Sequence, residues 1–112
     1  MDLSKKDKKA AREIIAKGMH AEFQRGMQHF DIIMQKWRES KDEDQIHYAE
    51  LYGEVRQFDK RIAFRYDRLS GSIYLDTIII QIIEKLIDLS DLNLLSTETQ
   101  EYIIQSLKNR TL

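Results

Sequence analysis

Between residues 10 and 37, Ala11, Ile15, Met19, Phe23, Met27, Phe30, Met34 and Trp37 follow one another at intervals of four or three. That spacing brings apolar side chains back toward one face of an α-helix. Recurring intervals of four and three residues are the mark of helical periodicity. The large aromatics Phe23, Phe30 and Trp37 recur every seven residues. Proline is absent from the whole chain, so nothing forces a break inside the pattern. A long helix with an apolar stripe must be covered, and the rest of the chain is read as its cover.

Ser4 with Asp7 three residues on resembles a capping box, which starts helix 1 at Lys5 and carries it to about Glu39. Asp42 with Gln45 three residues later reads as the next cap and leaves only a short turn around Ser40 and Lys41. Helix 2 then runs to about residue 69. Leu51, Val55, Phe58, Ile62 and Leu69 form its core stripe, flanked by Tyr48, Tyr52, Ala63 and Tyr66. So short a turn predicts an antiparallel hairpin. Mirrored about residues 40 and 41, Gly26 falls near the level of Gly53 and Gly18 opposite Ala63. Small residues at those levels predict close approach of the two helices.

Ser70-Gly71-Ser72 is the one clear loop signal in the middle of the chain. Helix 3 is expected over 73–90, because Asp76, Gln81, Glu84, Lys85 and Asp88 recur at helical rather than alternating spacing. It carries two apolar stripes: Leu75, Ile79, Ile82, Leu86 and Leu89, and then Ile73, Ile80, Ile83 and Ile87. Leu92, Leu94 and Leu95 make an apolar connection. Ser96 or Thr97 caps helix 4, whose buried face is Tyr102, Ile103, Ile104 and Leu107. Residues 109–112 are expected to fray. The expected fold is all-α: one helical domain over residues 1–112, a four-helix bundle built on a long antiparallel hairpin plus two shorter helices.

Several classes of function drop out on composition. There is no cysteine, which removes disulfide scaffolds, Cys-based zinc sites and thiol catalysis. The basic start has no apolar run behind it, so no secretory signal is expected. Residues 75–89 are too short and too charged to span a bilayer. These features predict a cytoplasmic chain with no membrane partner. There is no glycine-rich phosphate loop and no Gly-x-Ser-x-Gly elbow. His47 is followed by Tyr48-Ala49-Glu50-Leu51, without the Lys and Gly that follow the histidine of phosphotransfer modules. No catalytic set and no cofactor is expected.

Three constellations remain. Charge runs from basic to acidic along a chain of net charge −1, with nine Lys/Arg against six Asp/Glu in residues 1–40 and three against six in residues 71–112. Lys5, Lys6, Lys8, Lys9 and Arg12 would lie beside Arg61, Arg65 and Arg68 in the mirrored hairpin. Such a basic end suits phosphate and makes nucleic-acid binding the alternative reading, with Tyr66 and Tyr74 able to stack on bases. Asp7, Asp59 and Asp67 are interleaved with it, as on an ordinary solvated face. Glu22 and His29, with Tyr52 and Asp59 at matching levels, form a second set, but the Glu-x-x-His pairs of a helical metal site are missing and no metal is expected. The third is surplus apolar surface. Helices 1 and 2 outreach the shorter pair, leaving Met34, Trp37, Ile46 and Tyr48 uncovered, while Ile80 and Ile83 lie on the second stripe of helix 3. The leading expectation is a non-catalytic interaction module, homodimeric or bound to another protein, contacting its partner through Met34, Trp37, Tyr48, Ile80 and Ile83.

Overall fold

The Ser4 hydroxyl accepts the Asp7 backbone N–H at 3.0 Å and so starts the first helix where the sequence places it. In the computed structural model, which describes residues 1–111, the α-helices are α1 (Lys5–Glu39), α2 (Asp44–Tyr66), α3 (Tyr74–Ile83) and α4 (Thr97–Thr111). Single 3-10 stretches lie at Gly71–Ile73 and Leu89–Leu94. The fold is all-α with four main helices, and no strand occurs among the described residues. No helix among them is long and apolar enough to cross a membrane.

The chain divides into two compact units. One, the core unit, comprises Met1–Glu22 and the chain from Leu69 onward. The other is the hairpin Phe23–Arg68. α1 is continuous through both: its first half packs against α3 and its second half against α2.

The core unit holds most of the buried apolar side chains. Ala11, Ile14 and Ile15 of α1, Ile78 and Ile79 of α3, Leu92, and Ile103 of α4 are almost fully enclosed. Gly18 provides the close approach between α1 and α3. A Cβ there would stand 2.4 Å from the Gln81 side chain, which is fully buried and donates to the Ile15 carbonyl at 3.1 Å. The expected neighbour of Gly18 was Ala63, and α3 takes that place. The carboxylate of Asp7, buried in the first turn of α1, accepts the Ser96 N–H (2.9 Å), the Ser96 hydroxyl (2.7 Å) and the Thr99 hydroxyl (2.6 Å). It thereby ties α1 to the start of α4. Burial pushes this carboxyl up, but the hydrogen bonds from Ser96 and Thr99 outweigh that and hold its pKa below the ordinary value.

α3 ends seven residues earlier than the hydrophobic pattern predicts. The Leu86 N–H bonds the Gln81 carbonyl and the Lys85 N–H the Ile82 carbonyl, with Lys85 at φ 61°. This is a Schellman cap with lysine where glycine is usual, so the residue that signals such a stop is missing from the sequence. Leu89, expected on the core stripe of helix 3, consequently stands 56% exposed. Asp88 and Asp91 cap the following 3-10 stretch reciprocally. Asp91 also pairs with Lys17 of α1, which lowers the Asp91 pKa and raises that of Lys17. On α4, Ile103 is fully buried, while Tyr102 and Ile104 are exposed. The helix runs to Thr111, and Leu112 lies outside the described residues.

Candidate interaction surface

The stripe along α1 is not one face. Residues four apart advance about 40° past a full turn. Ala11, Ile15, Met19, Phe23 and Met27 therefore wind about 160° around the helix from first to last. Exposure follows the winding: Ala11 is 0% and Ile15 2% exposed, Met19 is half-buried, Phe23 reaches 44% and Met27 65%. In the second half of α1 the buried face instead carries Gly26 and Ile33. Phe23 and Phe30, expected in the core, are respectively exposed and half-buried.

Within the hairpin, α2 begins at Asp44 behind Glu43, which makes no side-chain cap; Asp42 does not cap it either. The connection is held differently. The Trp37 indole N–H donates to the Asp44 carboxylate at 2.9 Å, and the Asp42 N–H donates to the Ser40 hydroxyl at 2.9 Å. Lower down, Phe58 fills the space over Gly26, where a Cβ would come within 2.5 Å of its ring. Phe23 and Phe30 meet the Phe58 ring edge-on, each at 5.6 Å between centroids, and the Arg61 guanidinium lies 5.4 Å from the Phe58 centroid. Gly53, expected at a close approach, faces open space.

Two grooves result. The first, about 260 Å³, lies near the turn and is lined by Ile33, Met34, Trp37, Asp44, His47, Tyr48 and Leu51. It brings together the three hairpin residues expected to meet a partner, Met34, Trp37 and Tyr48. Its lining does not include Ile80 and Ile83, which are 37% and 50% exposed on α3 in the core unit. The second groove was not anticipated. Its floor is Phe30 and Phe58, its walls Phe23, Met27, Tyr52 and Val55, and its charged rim Arg56 and Asp59. The sequence signal was present in the run of four-residue steps, which cannot stay on one buried face of a straight helix.

The residues of the other constellations are distributed over the two units. Lys5, Lys6, Lys9 and Arg12 are exposed on α1 in the core unit, whereas Arg61, Arg65 and Arg68 belong to the hairpin unit, Arg65 half-buried there. His29 pairs with Glu54 at 3.1 Å rather than with Glu22, which is 4% exposed. No group of three His, Asp or Glu side chains among the described residues could hold a metal ion. In comparisons with known proteins, no protein-family model, no curated protein and no solved structure matches this chain.

Proposed function

We propose that this chain is a non-catalytic interaction module that associates with itself, and that the hairpin is the contacting part. One observation carries the reading. Of the fifteen buried apolar residues among those described, only Ile33 and Tyr66 belong to the hairpin, yet nine of its large apolar side chains are exposed. Phe64 stands 90% exposed, Tyr48 68% and Met27 65%. Two antiparallel helices can bury one stripe each against the other, and these carry more apolar surface than that. Small helical proteins cover such surface by oligomerising.

Trp37 keeps a place in this reading, although its indole N–H is already engaged by Asp44. Its ring, 38% exposed, offers an apolar face. The test is the mass of the native particle by sedimentation velocity from about 1 to 100 μM, which detects dimers with dissociation constants of micromolar order or tighter. A dimer is expected. A chain that stays monomeric throughout that range refutes self-association.

A further inference from the structure

We infer that the second groove of the hairpin is the seat of a second copy of this chain, with α2 packed antiparallel on the partner's α2 and Arg56 of each copy meeting the partner's Asp59. The inference rests on the self-association proposed above and specifies its face and register.

The area fits. Phe23 is 44%, Met27 65%, Tyr52 55% and Val55 42% exposed, and together they present about 400 Å² of largely apolar surface, within the range of functional patches on monomers. An ordinary dimer buries about 800 Å² per partner, of which somewhat more than half is apolar. The surface is also set in advance. The Phe58 ring is pinned between Phe23 and Phe30 and against Gly26, so the groove floor does not need to be ordered on binding.

The charges choose the orientation. Arg56 and Asp59 stand three residues apart along the groove rim, and neither makes an ion pair or hydrogen bond among the described residues. In a parallel two-fold pair each residue faces its own copy, so arginine would meet arginine and aspartate would meet aspartate. A two-fold axis across α2, midway between Gln57 and Phe58, reverses this and gives two Arg56–Asp59 pairs flanking the axis. The same register sets Tyr52 level with the partner's Ala63, a large side chain against a small one.

The experiment is sedimentation velocity on the full chain with Arg56→Asp, Asp59→Arg and the double variant, alongside thermal melts of each. Arg56 and Asp59 are exposed, so the melts are expected to stay close to wild type where the chains are compared as monomers. Each single reversal faces like charges twice across the axis and should weaken the dimer about tenfold or more, and the double swap should return it to within about threefold of wild type. If wild type is monomeric, both this inference and the proposed self-association fail. If wild type is dimeric but neither single reversal weakens it, self-association stands and this face is wrong. If the singles weaken it and the double does not recover, the antiparallel register is wrong.

Discussion

Three glycines lie inside helices, and the same substitution is expected to carry opposite signs among them. In a helix interior alanine is favoured over glycine by about 1 kcal/mol. At Gly53 a new Cβ meets nothing within 4 Å, so Gly53→Ala should realise nearly all of that gain. At Gly18 the new Cβ would stand 2.4 Å from both Cδ and Nε2 of Gln81. The amide must move, and any shift disturbs a buried, hydrogen-bonded side chain. Gln81 is 0% exposed, and its Nε2 donates to the Ile15 carbonyl. Losing that bond in the interior costs about 1–3 kcal/mol, and forcing an extra methyl into a packed site costs about as much again. Set against the helix gain, Gly18→Ala should lose about 3 kcal/mol. Urea denaturation followed by helical circular dichroism, at one protein concentration for all variants, reads both effects as shifts of the midpoint. Gln81→Ala supplies the control. In the double variant the alanine methyl at position 18 enters space the amide has left, so the two substitutions should couple favourably by at least about 1 kcal/mol. A Gly18→Ala variant that gains stability as Gly53→Ala does, or a cycle with no coupling, would refute the packing argument.

Other outcomes follow from single residues. Because the folded-state pKa of Asp7 is lowered, its carboxylate contributes stability above its unfolded value of about 3.9, and that contribution drains away as pH falls through the folded value. Asp7→Asn should cost about 2 kcal/mol at neutral pH and show a correspondingly smaller loss in acid urea titrations. Both ring nitrogens of His47 are buried without a hydrogen-bond partner, the nearest carboxylate oxygen, on Asp42, being 4.0 Å away. His47→Leu should therefore be neutral or stabilising by up to about 1 kcal/mol in thermal melts, whereas a marked loss would mean that the imidazole is satisfied after all. Lys85 holds a left-handed conformation that favours glycine. Lys85→Gly should raise the urea midpoint, by up to about 1 kcal/mol in stability terms.

Much of the fold was legible along the chain. α1 begins and ends at the expected residues, and α4 begins at the expected cap, because both signals are local: Ser4 and Ser96 each accept an N–H three residues on. The end of α3 was not legible, because its cap uses Lys85 in a conformation that lysine does not advertise. The candidate surface was half legible. Met34, Trp37 and Tyr48 do share a groove, but Phe23 and Val55, read as core, wall another.

The sequence by itself determined that the chain is helical, where most helices begin, and that it carries more apolar surface than a two-helix hairpin can bury. Tertiary structure alone decided how that surface is divided. The carboxylate of Asp7 satisfies α4, 89 residues on, instead of capping its own helix. Gly18 receives Gln81 rather than Ala63. The long stripe of α1 is core where α3 packs on it and open groove beside α2. Periodicity specifies the azimuth of a side chain on its helix. Burial depends on which other helix lies at that azimuth, and such long-range packing leaves no local mark in the sequence.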